Sequence, residues 1–195
     1  MTTHVPERAP RRPLRQVAEL FDSGAVTGAL ARIAHELLER NADLADVLLV
    51  GIHTRGVPLA HRLRQLIAER SGVELPVGTL DVTLHRDDQR AGPPLSSSRA
   101  TEIPAPLVGR TVVLVDDVMS TGRTIRAAID TLLELGRPER VQVAVLVDRG
   151  HRELPIRPDY VGKNVPTSRE ERIQVELVEV DGIDRVVLQR GESDG

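Results

Sequence analysis

The chain has 195 residues, a formal net charge of −3 and no cysteine. Its length suits one domain with a full hydrophobic core. The balanced charge excludes a polycation that would bind nucleic acid nonspecifically, and the lack of cysteine excludes disulfides, thiolate catalysis and cysteine metal sites. Phe21 and Tyr160 are the only aromatic residues, so RNA recognition on aromatic stacking platforms is excluded too.

The first half of the chain alternates apolar segments with helical patterns. Residues 1–13 are rich in proline and arginine and predict a disordered tail ahead of a single domain over residues 14–195. Apolar residues at helical spacing between Leu14 and Arg40 predict a helix. The following elements are predicted to be a strand at 46–51, a helix at 58–70 and a strand at 77–84. Residues 85–106 lack periodicity, and so long a loop is either a functional lid or a missed element.

The second half continues the alternation and then changes character. A buried strand at 111–115 precedes a helix that ends near Gly136, and residues 141–147 form another buried strand. Residues 148–168 are predicted to be irregular. Alternation at 173–180, a turn signal at Asp181 and Gly182, and a strand at 185–189 predict a C-terminal hairpin. The order of elements indicates an α/β fold with a mainly parallel central sheet flanked by helices.

The segment TVVLVDDVMSTGRTIRAAID, residues 111–130, carries the strongest functional signal. Asp116 and Asp117 come where a buried strand ends, at the edge where open α/β sheets bind ligands. Ser120–Thr124 then leads into a helix whose first amides have no intrahelical partner, and these amides suit a phosphate. Two carboxylates beside a phosphate cradle suit a ligand that also carries vicinal hydroxyls or a metal ion, as a sugar phosphate does. The nucleoside-triphosphate and dinucleotide glycine motifs are both missing from the sequence.

Residues 112–124 resemble the phosphoribosyl-pyrophosphate (PRPP) signature of type I phosphoribosyltransferases. The alternative is an ordinary buried strand followed by an Asp-capped helix. The resemblance implies the type I fold with a small hood, and it implies that the paired acids hold the ribose hydroxyls while the loop holds the 5-phosphate. By this resemblance the PRPP-binding residues of the segment are Asp116, Asp117, Val118, Met119, Ser120, Thr121, Gly122, Arg123 and Thr124.

Two further segments fit the same resemblance. Thr54 and Arg55 follow the strand at 46–51 and are similar to a pyrophosphate-binding loop, although a plain connection with a solvated arginine is the alternative. Arg86 opens the long loop, which in the family closes over PRPP and excludes water while pyrophosphate departs. Mg²⁺ carried by PRPP and pyrophosphate is the implied cofactor, rather than an ion held by protein alone.

The segment 148–167, with ARIAHE at 31–36 and TRG at 54–56, narrows the resemblance to the bifunctional pyrimidine operon regulatory protein/uracil phosphoribosyltransferase family. Arg149 is then a candidate for reading uracil, and Ile173 for covering its ring. The family also binds leader mRNA, and its RNA-binding positions correspond here to Arg32, His35, Arg152, Arg157 and Lys163. Each of these five side chains has a plain alternative as a surface ion-pair partner.

The chain departs from the family pattern at three places. Met119-Ser120 replaces a usual Leu-Tyr, and His85 replaces a tyrosine. Ala31 stands where a threonine often contributes to RNA contact. The first two changes bear on catalytic turnover and the third on affinity for RNA.

The sequence therefore predicts a UMP-responsive, RNA-binding regulator of pyrimidine biosynthesis genes that also converts uracil and PRPP to UMP and pyrophosphate. The alternative is a pyrimidine or purine salvage phosphoribosyltransferase that binds no RNA. No apolar stretch reaches the roughly 18 residues needed to span a membrane, and no secretory leader is apparent. We therefore expect a cytoplasmic protein without membrane contact, and the resemblance implies a homodimer or a higher homo-oligomer.

Overall fold

The computed structural model of the protein describes residues 14–82 and 100–191, which form a five-stranded sheet flanked by helices and a separate three-stranded sheet. A 3₁₀ turn at Leu44–Asp46 precedes the second strand. In chain order the helices and strands are β1 (Leu14–Phe21), α1 (Ser23–Arg40), β2 (Val47–Ile52), α2 (Gly56–Ser71), β3 (Val77–Leu80), β4 (Thr111–Met119), α3 (Arg123–Leu135), β5 (Arg140–Asp148), β6 (Tyr160–Asn164), β7 (Glu171–Glu176), α4 (Val178–Asp181) and β8 (Arg185–Gly191).

The central sheet has the strand order β3-β2-β4-β5-β6, and every neighbouring pair is parallel. Leu114 at its centre lies opposite Val50 on one side and Val143 on the other. All six residues of β2 are buried, because helices cover the sheet on both faces. The carboxyl ends of β2 and β4 therefore meet at one edge, where the loops after these strands carry the predicted site.

Successive residues of the strands pack in two cores. Leu49 and Val113 point to the core built with α1 and α2, whereas Leu48 and Leu114 point to the core built with α3. Alternate residues of a strand face opposite sides of a sheet, so the continuous apolar runs of β2 and β4 serve both cores.

The first predicted helix was wrong at its N-terminal end. Leu14–Phe21 is a strand that pairs antiparallel with β8, and β8 also pairs with β7 in the three-stranded sheet. The helix begins only at Ser23, where the carboxylate of Asp22 accepts a hydrogen bond from the amide of Ala25 at 2.8 Å. The apolar residues at helical spacing lie between positions 30 and 38, so the periodicity supported the later part alone.

Three other differences concern short elements. Residues 160–164 form the edge strand β6, although 148–168 was predicted to be irregular. Gly162 allows this strand to approach β5, because a Cβ there would lie 2.3 Å from the carbonyl oxygen of Leu146. Part of the predicted long loop pairs with β3, since the backbones of Thr79 and Glu102 exchange hydrogen bonds of 2.8 and 2.9 Å. The predicted C-terminal hairpin is confirmed as β7 and β8, but its first strand ends at Glu176 rather than at Val180, and Val178–Asp181 is the short helix α4.

Candidate active site

The two acids of the PRPP signature lie within the last four residues of β4, which extends to Met119 rather than ending at Val115. Asp116 is 7% exposed, and its carboxylate accepts a hydrogen bond from the amide of Asp117 at 2.9 Å. The carboxylate of Asp117 accepts a hydrogen bond from the amide of Val118 at 2.8 Å. Burial raises the pKa of Asp117, while the nearby charge of Arg55 acts in the opposite direction. The pair thus forms a fixed, poorly hydrated group of oxygen acceptors at the sheet edge.

Ser120–Thr124, here called the phosphate loop, joins this pair to α3. Gly122 has φ +90°, a left-handed conformation that glycine adopts without the penalty of a side chain. The carbonyl of Gly122 accepts the first helical hydrogen bond from Arg126, and the amide of Arg123 donates to the hydroxyl of Thr121 at 3.3 Å. The N-terminus of α3 therefore follows the two carboxylates after one short loop, and the amides of a helix N-terminus suit an anion.

The second predicted loop begins α2 beside the same acids. The peptide between His53 and Thr54 is cis. Arg55 precedes α2, and its guanidinium donates two hydrogen bonds to Asp181, at 3.1 and 2.7 Å. The hydrogen bond from Arg55 lowers the pKa of the Asp181 carboxyl. Gly56 packs against β4, since a Cβ there would lie 2.2 Å from the carbonyl oxygen of Val115.

The predicted uracil-binding residues lie beyond the end of β4. The amide of Arg149 donates to the carbonyl of Met119 at 3.0 Å, so Arg149 begins its segment beside the phosphate loop. Its Nε is buried without a hydrogen-bond partner in the described part of the chain. Burial lowers the pKa of Arg149, and the charge of Arg172 adds to this effect. Ile173 is partly buried on β7, a strand that contacts β4.

Four of the predicted RNA-binding side chains are exposed on neighbouring elements. Arg32 and His35 lie on α1, where His35 is 3.4 Å from Glu39. Lys163 lies on β6, and its ammonium stands 5.0 Å from the centroid of the Phe21 ring. The helix α1 packs against β6, so Arg32, His35 and Lys163 lie on two elements in contact, and the exposed Arg157 lies shortly before β6 in the chain.

Arg152 differs from those four. It is partly buried, and its guanidinium bonds to Asp148 and to backbone carbonyls that include that of Ser120 in the phosphate loop. The sequence did not reveal this role or that of Asp181, because nothing in the local pattern shows which distant group a charged residue contacts. Arg86 lies outside the described residues, as do the predicted N-terminal tail and His85.

Within residues 14–82 and 100–191, no three His, Asp or Glu side chains are grouped so that they could hold a metal ion. No helix in the same ranges is both long enough and apolar enough to cross a membrane.

Comparisons with known proteins agree with this geometry. Residues 16–179 match the family described as the phosphoribosyl transferase domain. The bifunctional protein PyrR of Chloroflexus aurantiacus is 56% identical over 175 residues, which cover 90% of this chain and 96% of that protein. The bifunctional protein PyrR of Thermus aquaticus is 57% identical over 179 residues, with coverages of 92% and 99%.

Solved structures show the same fold at much lower sequence identity. A hypoxanthine phosphoribosyltransferase of Trypanosoma cruzi matches with a TM-score of 0.67 at 16% identity, over 91% of this chain and 98% of that chain. A hypoxanthine-guanine phosphoribosyltransferase of Leishmania tarentolae in complex with GMP matches with a TM-score of 0.68 at 15% identity. The predicted α/β phosphoribosyltransferase fold is therefore confirmed.

Proposed function

Because this chain belongs to the family of bifunctional PyrR proteins, a family of phosphoribosyltransferases, we propose that its sheet-edge site transfers phosphoribosyl from PRPP to uracil. We also propose that the bound product, UMP, controls the binding of this protein to pyrimidine-gene leader RNA. The observation that carries the proposal is the pair of buried Asp116 and half-buried Asp117, followed by the phosphate loop and the glycine-opened N-terminus of α3. One site thus offers acceptors for vicinal ribose hydroxyls and donors for a phosphate. We retain the single domain over residues 14–195 as part of this proposal.

The reaction needs orientation and charge stabilisation rather than a covalent nucleophile. The bond between C1′ and the pyrophosphate oxygen breaks, a bond between C1′ and N1 of uracil forms, and N1 loses its proton. Asp116 and Asp117 hold the ribose, and the phosphate loop holds the 5-phosphate, so that C1′ is presented to the base in fixed geometry. Their negative charge also suits the positive charge that develops on the ribose ring.

Thr54 and Arg55 supply the pyrophosphate end of the site. The side chain of Arg55 is 26% exposed, and its guanidinium is bonded to Asp181. A pyrophosphate that reaches this loop would therefore compete with one carboxylate for a guanidinium that is already held in position. From the sequence we add Arg86, which would neutralise the leaving group when the long loop closes. These contacts place cations at the leaving group and carboxylates at the ribose, as the charge separation of the transition state requires.

Phosphoribosyltransferases use Mg²⁺ together with PRPP. Asp116 and Asp117 are oxygen ligands of the kind Mg²⁺ prefers, and two carboxylates would leave the remaining ligands to PRPP, pyrophosphate and water. When bound, the ion supplies neutralisation of the pyrophosphate charge.

Uracil would lie beyond the end of β4. The guanidinium of Arg149 has a buried Nε that is unbonded within the described residues, while its Nη2 donates to the carbonyl of Ser168 at 3.4 Å. It is a donor suited to the carbonyl oxygens of the base. Ile173 would cover the ring face. A buried donor without a partner disfavours the empty site, which supports Arg149 as a base-reading residue.

The regulatory half of the proposal rests on the basic side of α1 and β6. Arg32, His35, Arg157 and Lys163 are exposed there, and arginine can both contact phosphates and stack on unpaired bases. We propose that this surface binds the leader RNA, in a cytoplasmic homo-oligomer. Only a few basic side chains act here, so affinity should depend on shape as well as charge.

Two measurements test the two halves separately. Purified protein should convert uracil and PRPP to UMP and pyrophosphate, and a stronger rate with hypoxanthine or adenine would redirect the assignment to purine salvage. Titration with a pyrimidine-leader RNA should show tighter binding in the presence of UMP. Equal RNA affinity with and without UMP would remove the sensor role, and an absence of RNA binding would leave a salvage enzyme.

A further inference from the structure

The guanidinium of Arg152 is hydrogen-bonded to the backbone of the phosphate loop. Its guanidinium Nη1 donates to the carbonyl oxygen of Ser120 at 2.6 Å, and its Nε donates to that of Ile156 at 2.9 Å. Nη2 donates to the carboxylate of Asp148, and Nη1 makes a longer contact of 3.4 Å with the carbonyl of Gly150. Four of the five N–H groups of the guanidinium are thus engaged inside the protein, which leaves little of the fork for an RNA phosphate.

Residues 153 and 154, which follow Arg152, fix the next carbonyl of the loop, that of Thr121. The oxygen of Thr121 accepts hydrogen bonds from the amides of Glu153 and Leu154, at 3.0 and 3.1 Å. In a trans peptide the C=O and the following N–H point in opposite directions. Fixing the carbonyls of Ser120 and Thr121 toward residues 152–154 therefore directs the amides of Thr121 and Gly122 to the other side of the loop, where an anion would bind.

The other side of Arg152 belongs to the surface assigned to RNA. With Arg157 and Asn164 it lines a groove of about 370 Å³ between residues 148–158 and the edge strand β6. Lys163 stands next to Asn164 on that strand. Arg152 therefore contacts, through its guanidinium, the loop that would hold the UMP phosphate, and the same residue lines the groove beside Arg157.

We propose that Arg152 is a positioning residue that couples the phosphate loop to the RNA groove, rather than a simple contact for an RNA phosphate. This inference rests on the proposed function. UMP binding fixes the loop carbonyls, and through them the guanidinium and the groove. Because coupling between two sites is reciprocal, loss of the fork weakens UMP binding and removes the gain in RNA affinity that UMP produces.

The test compares Arg152→Lys, which keeps the charge but loses the planar fork, with Arg152→Gln. Arg137→Gln is the matched control, since it removes an exposed arginine from the connection between α3 and β5. This connection lies at the amino ends of the strands, away from the site at their carboxyl ends. We expect both Arg152 variants to weaken UMP binding at least tenfold by calorimetry and to raise the KM for PRPP. Leader RNA titrated with and without saturating UMP should then show the same affinity for either variant, whereas the control behaves like the wild type.

The opposing result is Arg152→Lys with UMP affinity within twofold of the wild type and weakened RNA binding, which would make Arg152 a charge contact only. Asp148→Asn gives a second comparison if the Arg152 variants fold poorly. It removes a negative charge beside the groove, so a charge contact alone predicts tighter RNA binding with unchanged UMP affinity, whereas the positioning role predicts weaker UMP binding. A wild-type protein that binds no UMP would overturn the proposed function itself, and this inference with it.

Discussion

Replacement of Gly56 by alanine tests whether the pyrophosphate loop and the ribose carboxylates act as one unit. An ideal Cβ on Gly56 would lie 2.2 Å from the carbonyl oxygen of Val115 and 3.4 Å from the Cα of Asp116. Real Cβ atoms essentially never approach another heavy atom within 3.0 Å, so the start of α2 and the end of β4 must separate by about 0.8 Å or more. The clash is with backbone, which no side-chain rotation relieves.

This separation acts on catalysis more than on binding. Arg55 immediately precedes Gly56, and Asp116 immediately follows Val115, so the shift moves the proposed pyrophosphate-binding group relative to the proposed ribose-binding group. A misplacement of about 1 Å costs roughly 100-fold in rate, or about 2.7 kcal/mol in the activation free energy. Overpacking should also lower the free energy of unfolding by about 1–3 kcal/mol.

The assay is UMP formation from uracil and PRPP at a temperature where urea unfolding shows the variant to be folded. Gly28→Ala is the matched control, because Gly28 is exposed in the middle of α1 and a Cβ there would meet nothing within 4 Å. The control should keep wild-type kcat/KM and gain about 0.5–1 kcal/mol in the free energy of unfolding. A folded Gly56→Ala protein with wild-type kcat/KM would refute the reasoning.

Three further variants test the other parts of the site. Asp117→Asn should lower kcat/KM for PRPP by about 10- to 100-fold, since hydrogen bonds to a charged group are worth about 1.5–3 kcal/mol. Because burial raises the pKa of Asp117, the PRPP affinity of the wild type should fall on acidification at a higher pH than an ordinary aspartate would give. A loss of affinity only at the pH of an ordinary aspartate would contradict this prediction. Arg157→Gln should weaken leader-RNA binding and reduce its salt dependence by about one counterion, and an unchanged slope in a salt titration would remove Arg157 from the RNA surface. Arg62→Gln should lower the free energy of unfolding by about 1–3 kcal/mol at pH 7, because Arg62 bonds to both Glu179 and Asp184. Hydrogen bonds from Arg62 lower the pKa of both carboxyls, so the stability that these ion pairs contribute is present above pH of about 4 and is lost as the pH falls through the folded-state pKa values. A difference in the free energy of unfolding between variant and wild type that stays constant down to pH 3 would argue against these ion pairs.

Local pattern was enough to predict the elements that carry the ligand groups. The apolar run before Asp116, rich in valine and leucine, favours a strand buried on both faces, and the parallel topology places its carboxyl end at the ligand-binding edge of the sheet. Gly122 marks the start of α3 because its left-handed φ is a conformation that glycine favours whatever the distant surroundings. The edge strand β6 was missed because its five residues gain their stability from β5 and α1, which are distant in sequence.

The charged residues show the same limit more sharply. The sequence assigned Arg55 to the pyrophosphate loop and Arg152 to RNA binding, and nothing local indicated that Asp181 would bond to the first or that the second would bond to the carbonyl of Ser120. These partners lie 126 and 32 residues away along the chain. Their choice depends on how β4, β5 and the antiparallel sheet pack, which periodicity does not encode.

These two long-range contacts give the site its rigidity. A transferase without a covalent nucleophile lowers its barrier by presenting fixed charges and dipoles to a substrate whose own charges separate. The cation proposed for pyrophosphate and the amides proposed for the 5-phosphate lie on two different loops, and each loop is anchored through one arginine to a residue far along the chain. A change at Asp181 or Asp148 would therefore act on the reaction through the anchored loop, although neither residue belongs to the motif by which the site is recognised. The supporting residues of this fold should then tune nucleotide affinity, and a regulator that responds to bound nucleotide needs that affinity to be adjustable.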